Sequence, residues 1–449
     1  MKKEMLEKLH SRNENKVIIG DINTGKTKNI LLPLVELMIS SEENLFIIDS
    51  KEEYYKKYSK KLKENGYKTI LINLKDVNKS DCWNPLTYPK KLYKSGKTDQ
   101  AIELIDKLGK VLFYEENTNS DPFWSNSASD FFSGIVLGLL EDAKENEVNL
   151  SSVCNIYNTG EEKFAAETYS KYYFSLKDKM SSSYISASGT AFAPTETRKS
   201  IISVAKQQLK VYVSREGLTN ILTTTSFNFE KLACEKIAIF VITKDDSKTI
   251  NGIATMFLHQ LHELILQNKE KKKWNFILDN FDTLNNVNNL VDILSSAISN
   301  NINFYIATRS MDKLKENYGD YIKHIATLLV LDSNKITIEK NSSTEITEII
   351  DQPNQDNLLS DVDITYPLTQ KNEINIFDFK EFVKSKHIER AKSEINEMNK
   401  SPEKRNYEPI EPGNGTKKDT IDVDHLVSEL DKKIKELEAE EKTISEIKE

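Results

Sequence analysis

Seven short runs of consecutive apolar residues punctuate the chain: Lys16–Gly20 (KVIIG), Asn44–Ser50 (NLFIIDS), Lys68–Asn73 (KTILIN), Lys236–Thr243 (KIAIFVIT), Trp274–Asp279 (WNFILD), Asn303–Thr308 (NFYIAT) and Thr327–Asp332 (TLLVLD). Runs without polar alternation are expected of strands buried on both faces of a parallel sheet. Between several of them apolar residues recur at three- and four-residue spacing, as in Ile253–Leu266 (IATMFLHQLHELIL). This repetition predicts an α/β sheet. From about Asp99 to Lys206 the pattern is helical with no convincing strand, which predicts an all-α domain inserted into the α/β body. The expected layout is therefore α/β over 1–98, all-α over 99–194 and α/β again over 195–398. A linker over 399–420 carries Pro402, Pro409, Pro412, Gly413 and Gly415. After it, over 421–449, Val423, Val427, Leu430, Ile434, Leu437 and Ile444 predict an amphipathic helix with a narrow seam, interrupted at Glu441.

The 449 residues are 38% hydrophobic and 29% charged, with 62 basic against 70 acidic side chains and a net charge of −8. This excludes a histone-like polycation and leaves any nucleic-acid contact to local basic surface. Residues 401–449 hold nine Lys/Arg against fourteen Asp/Glu, so the acidity concentrates in the tail. Three separated cysteines, Cys82, Cys154 and Cys234, build neither a disulfide framework nor a zinc pattern, and a reducing cytoplasm is expected. The most apolar stretches, Ile30–Ile39 and Phe131–Leu140, are about half the length needed to span a bilayer and predict buried helices. The chain is expected to be soluble.

The strongest chemical signal is Gly20-Asp21-Ile22-Asn23-Thr24-Gly25-Lys26-Thr27, a complete G-x-x-x-x-G-K-T between a predicted strand and a predicted helix. Glycines let backbone N–H groups wrap a phosphate, and a helix N-terminus adds partial positive charge. Gly20 through Lys28 is the expected nucleotide site, with Lys26 reaching the β- and γ-phosphates of ATP and Thr27 ligating Mg²⁺. Such a loop needs an acidic partner at the end of a nearby strand. Asp49 and Asp279 both qualify, and Asp279 ends the cleaner run. The residue after it is Asn280, whose amide cannot take a proton as a carboxylate does. Asp282 could substitute, although it reads better as a polar turn residue.

With these pieces in place the chain resembles the type IV secretion coupling proteins, the conjugative DNA-transfer P-loop ATPases. Asp49-Ser-Lys51-Glu-Glu53 looks like the family's Asp-Pro-Lys-Gly-Glu, with Glu52 in place of glycine. Trp83-Asn84-Pro85-Leu86 resembles its Asn-Pro-Leu element, and Asp121-Pro122-Phe123-Trp124 the opening of its all-α domain. Thr195-Glu-Thr197-Arg198-Lys-Ser200-Ile201 resembles the return to the nucleotide domain, and Phe227-Asn-Phe229 the next loop. The resemblance implies a RecA-like nucleotide-binding domain with an inserted all-α domain, assembled as a hexameric ring at the cytoplasmic face of the membrane. It further implies nucleotide at subunit interfaces, and delivery of single-stranded DNA with its relaxase to the secretion-channel proteins.

Departures from the family shape the expectation. Members usually begin with two transmembrane helices, whereas here the loop starts at residue 20, so membrane anchoring is expected to be absent or supplied by a partner chain. The family's arginine-rich stretch aligns with Ile298-Ser-Asn-Asn301, and its glutamine after the next strand with Arg309. Loss of both the base and the trans-acting arginine predicts slow hydrolysis, unless Arg309 or Arg198 takes over. The alternatives are a non-hydrolysing nucleotide-binding adaptor in the same system and an unrelated P-loop regulator.

Two further signals favour plain structural readings. His259 and His262 lie three residues apart on a predicted helix, but no third metal ligand is evident and their apolar neighbours indicate packing. Tyr54–Lys63 (YYKKYSKKLK) interleaves aromatics and lysines, as single-strand binding surfaces do. Directly after a strand, it reads better as the solvated face of a connecting helix.

Overall fold

The computed structural model describes residues 3–113, 121–244, 247–270, 272–284, 287, 289–332, 335–340, 343–348 and 364–400. The chain divides into two compact units, Met1–Phe377 and Asp378–Glu449. In the second, the described part is one helix, Phe379–Lys400. It continues into the first residues of the stretch read as linker. The rest of that linker and the predicted tail helix lie outside the described residues.

The first unit is organised on a nine-stranded sheet. Its strands are β1 (Asn15–Ile19), β2 (Asn44–Ile48), β3 (Lys68–Asn73), β6 (Ile237–Ile242), β7 (Trp274–Leu278), β8 (Ile302–Thr308), β9 (Ala326–Asp332), β10 (Lys335–Lys340) and β11 (Ser343–Glu348). A separate two-residue hairpin pairs β4 (Lys163–Phe164) with β5 (Glu167–Thr168). The strand order is β11-β10-β9-β1-β8-β7-β2-β6-β3. The seven strands from β9 to β3 are parallel. β1, β2, β6, β7 and β8 are buried along their whole lengths, as continuous apolar strands between two layers must be. An antiparallel hairpin, β10 and β11, closes the β9 edge. Its sequence alternates apolar with polar residues and escaped the reading based on continuous apolar runs. β4 and β5 likewise correct the expectation of a strand-free insertion; at two residues each they are too short to show periodicity.

Apart from connecting turns, the described residues of 87–223 are otherwise helical. The longest helix here, Pro122–Asp142, starts with Asp121 accepting the Phe123 amide at 3.0 Å and with Pro122 in the first turn, a favourable start for an α-helix. It packs against Ser182–Ala191, and the approach at Gly134 is so close that a Cβ there would lie 2.6 Å from Ala187 Cβ. Asn84 stitches the helical region to the preceding loop: its side-chain amide donates to Val148 O at 2.8 Å and Thr223 O at 3.0 Å. Among the described residues no helix is long and apolar enough to cross a membrane.

Candidate functional site

In a parallel sheet every strand delivers its following loop to one edge, where ligands of α/β proteins bind. Four adjacent strands, β1, β8, β7 and β2, meet there. They bring together the loop from Gly20, the turn at Arg309, the segment from Asp279 to Asp282, and the segment from Asp49 to Tyr54. Because β8 lies between β1 and β7, Arg309 sits between the two halves of the site.

The Gly20–Lys28 loop turns sharply at Asn23 (φ 64°) and Gly25 (φ 85°). A side chain at Gly25 would be strained by the left-handed backbone, and its Cβ, 2.3 Å from Asn29 Nδ2, would push that amide aside. The helix opens with a wide π turn over Lys26–Leu31, in which the Leu32 amide donates five residues back to Thr27 O. Pro33 follows at once, and the widened turn accommodates a residue with no N–H to give. Thr24 Oγ1 donates to Asp21 O at 2.9 Å, and the Ile22 amide donates to Asp21 Oδ1 at 2.7 Å. Ile22 and Lys28 are exposed. Lys26 Nζ donates to Gly20 O and to Asp21 O, the latter at 2.9 Å. Burial lowers the Lys26 pKa; Asp279, Asp282 and Asp21 oppose that shift, and Arg309 adds to it. Those four groups therefore surround the lysine electrostatically.

Thr27 Oγ1 donates to Asp279 Oδ2 at 2.7 Å, joining residues 252 positions apart. Asp279 is buried. Its Oδ2 also accepts from the Tyr54 hydroxyl at 2.9 Å, and its Oδ1 from the Asn280 amide at 2.9 Å. Burial, with Asp279 and Asp49 close by, raises the Tyr54 pKa well above the ordinary phenol value, so the hydroxyl stays a donor. A paired hydroxyl and carboxylate fit a magnesium ion, which prefers one or two protein oxygens and takes the rest from phosphate and water. Among the described residues no cluster of three or more His, Cys, Asp or Glu forms a metal site.

Asp49, the other candidate, does a different job. Its carboxylate accepts the amides of Glu53 (3.0 Å), Tyr54 (3.0 Å) and Tyr55 (3.1 Å), capping the helix Glu53–Glu64. Burial pushes its pKa up to about 7, with Asp279 adding to the rise and the amide donors opposing it. Glu52 adopts φ 62°, the left-handed region that glycine occupies freely. Its side chain accepts from Tyr366 Oη at 2.7 Å and pairs with Lys56 at 2.9 Å.

Asn280 is also left-handed, at φ 56°, where asparagine is tolerated, and its Nδ2 donates to Ser50 Oγ at 2.7 Å. Asp282 accepts from Thr308 Oγ1 at 2.7 Å and from the Arg309 amide at 2.8 Å, so it braces the end of β8 as a turn residue. Arg309 itself is exposed. Arg198 does not reach this site. Buried in the helical region, its Nε donates to both Glu161 oxygens at 3.1 Å, so within this chain it is committed to that pair. Ile298 follows the helix Leu290–Ala297 and opens a 3-10 turn, Ile298–Asn300, that ends at the left-handed Asn301.

His259 and His262 are buried, with burial lowering their pKa values to about 3 and about 4, so they are neutral packing residues. In Tyr54–Lys63 the aromatics turn inward: Tyr54, Tyr55 and Tyr58 are buried while Lys57, Lys60 and Lys63 are exposed. That leaves no aromatic platform for stacked bases. The reading of the run as a solvated helix face missed Tyr54, whose one signal was its place in the first turn after the strand-end Asp49.

A parallel sheet with a glycine-rich loop after β1 and a Thr–Asp pair across its carboxyl edge defines a P-loop nucleotide-binding fold. Structures of the bacterial conjugative coupling protein TrwB share it. A truncated TrwB in complex with sulphate matches with a TM-score of 0.53 at 13% identity, over 75% of this chain and 79% of that one. TrwB with the non-hydrolysable ATP analogue ADPNP gives 0.53 at 12% identity, over 78% and 85%. TrwB with ADP and Mg²⁺ gives 0.50 at 12% identity, over the same shares. At such identity the likeness establishes the fold, RecA-like with an all-α domain. No curated protein sequence matches the chain. The profile of the type IV secretory system conjugative DNA transfer family, however, matches residues 6–351, and the chain belongs to that family.

Proposed function

We propose that the chain is a coupling protein that binds Mg²⁺-ATP at Gly20–Lys28 and uses it to deliver DNA with its attached relaxase to a type IV secretion channel. The observation that carries the reading is the 2.7 Å bond between Thr27 and Asp279 beside the phosphate loop. Thr27 and Asp279 would hold Mg²⁺, Lys26 would neutralise the β- and γ-phosphates, and the loop amides would bind phosphate oxygens. The metal ion, when bound by Thr27 and Asp279, would supply charge neutralisation of the phosphates. Arg309, exposed between the two halves of the site, is assigned the remaining catalytic cation. A ring of six such chains at the cytoplasmic face is the assembly that the family membership supports. On the same reading we assign the nucleotide domain to two parts of the chain, the all-α domain to the substrate and the acidic tail to a partner.

A specific observation favours a second reading, a nucleotide-binding adaptor with little turnover. Asn280 cannot act as a base, and Asp282 is committed to Thr308 and the Arg309 amide. Calorimetric titration with Mg²⁺-ATP, against Lys26→Ala, tests the site; unchanged affinity in the variant would sink it. Steady-state turnover with and without single-stranded DNA then separates the motor from the adaptor. Stimulated turnover that Lys26→Ala removes supports the motor.

A further inference from the structure

The segment after β2 acts as a bracket on Asp279. Asp49 fixes the first turn of the helix Glu53–Glu64 through three amides, and this sets the position of Tyr54. From there the buried phenol ring crosses to the neighbouring strand end, where its hydroxyl meets Asp279 Oδ2 at 2.9 Å. The same oxygen takes Thr27 Oγ1 at 2.7 Å, and the other takes the Asn280 amide at 2.9 Å. A carboxylate offers about four acceptor sites. With three of them engaged from three directions, Asp279 is held in one orientation toward Thr27.

We propose that Tyr54 is a positioning residue for the nucleotide-bound magnesium ion, acting through Asp279. The inference rests on the reading that Thr27 and Asp279 hold Mg²⁺. Without the hydroxyl, Oδ2 keeps Thr27 as its one side-chain donor and the carboxylate is free to rotate away from it. Groups that orient a metal ligand are commonly worth ten- to a hundredfold in metal affinity.

The test compares Tyr54→Phe with Tyr58→Phe. Tyr58 lies one turn further along the same helix, is equally buried, and donates to Leu32 O at 2.6 Å without touching Asp279. Both changes keep the ring and delete one buried hydrogen bond. The measurement is the Mg²⁺ concentration that half-saturates the metal-dependent part of ATP binding, with ATP affinity in EDTA and the melting temperature without Mg²⁺ recorded alongside. Tyr54→Phe is expected to raise the half-saturating Mg²⁺ about tenfold, leaving affinity in EDTA unchanged, while Tyr58→Phe matches the wild type. On an Asp279→Asn background, Tyr54→Phe should add nothing further, because the two act through one carboxylate. An unchanged Mg²⁺ requirement in Tyr54→Phe, or the same shift in both tyrosine variants, overturns the inference while leaving the nucleotide site standing. A wild-type protein whose ATP affinity ignores Mg²⁺ altogether overturns the magnesium assignment and the inference together.

Discussion

Replacing Glu52 by alanine and, separately, by glycine distinguishes backbone strain from side-chain contact. Glu52 sits at φ 62°, just before the helix Glu53–Glu64. A left-handed conformation costs a non-glycine residue about 1–2 kcal/mol. Glycine avoids that cost but loses about 0.5–1 kcal/mol through the extra freedom of its unfolded chain. Both substitutions delete the Tyr366 hydrogen bond and the Lys56 ion pair. The hydrogen bond is partly solvated, and contributes about 1 kcal/mol. The ion pair spans four residues with Lys56 half exposed, and adds about 0.3–0.5 kcal/mol. Glu52→Ala keeps the strain and loses the contacts, so it should destabilise by about 1.5 kcal/mol. Glu52→Gly loses the same contacts but relieves the strain, and should be the more stable variant by about 0.5–1 kcal/mol. This order is the reverse of the alanine-over-glycine preference inside a helix. Equilibrium urea unfolding followed by tryptophan fluorescence measures the order directly. If the alanine variant equals or exceeds the glycine variant, the backbone at residue 52 is not left-handed, and the match to the family's glycine loses its physical basis.

Asn280→Glu should raise steady-state ATP turnover about tenfold by supplying a base, while costing about 2 kcal/mol in stability through its left-handed backbone and the lost Ser50 bond; flat turnover would place the chemistry elsewhere. Arg198→Ala should destabilise by about 3 kcal/mol because it strands Glu161, yet leave Mg²⁺-ATP affinity at the wild-type value by calorimetry. His259 and His262 carry folded pKa values of about 3 and about 4 against a usual 6.5. The unfolded chain therefore binds protons that the native state refuses, and the stabilisation present above pH 6.5 is lost as pH falls toward 4. A melting-temperature profile of His259→Leu/His262→Leu should be flatter across that window; an unchanged slope would mean that other groups control it.

The central strands were legible because both of their faces are apolar, which leaves β2 and β7 little freedom to be anything else. The β10–β11 hairpin was not, since Lys335–Lys340 buries Ile336 and Ile338 while the residues between them are polar. Lys26 and Thr27 announced themselves through a local motif. The cleaner apolar run already favoured Asp279 over Asp49, but what reaches each carboxylate is visible only in three dimensions: three helix amides at Asp49, Thr27 and Tyr54 at Asp279. Tyr54 lies 225 residues from its partner within a lysine-rich run, and nothing in its neighbourhood hints at a carboxylate. Glutamate at residue 52 carries no local signal for a left-handed turn either.

The order of the sheet has a consequence for how the protein is made. β1 pairs on one side with β8 and on the other with β9. Both partners are translated after the whole helical insertion. At about 5–20 residues per second, the ribosome needs on the order of 15–60 s between β1 and β8. Throughout that interval Val17, Ile18 and Ile19 have neither neighbouring strand, and the phosphate loop that follows them has no Asp279 to engage. The helical insertion, whose contacts are closer in sequence, can settle first. β1, made before the rest of this sheet, is thus one of its last strands to be sheltered, so nascent chains that end before about residue 330 should depend on holding chaperones and be unable to retain nucleotide.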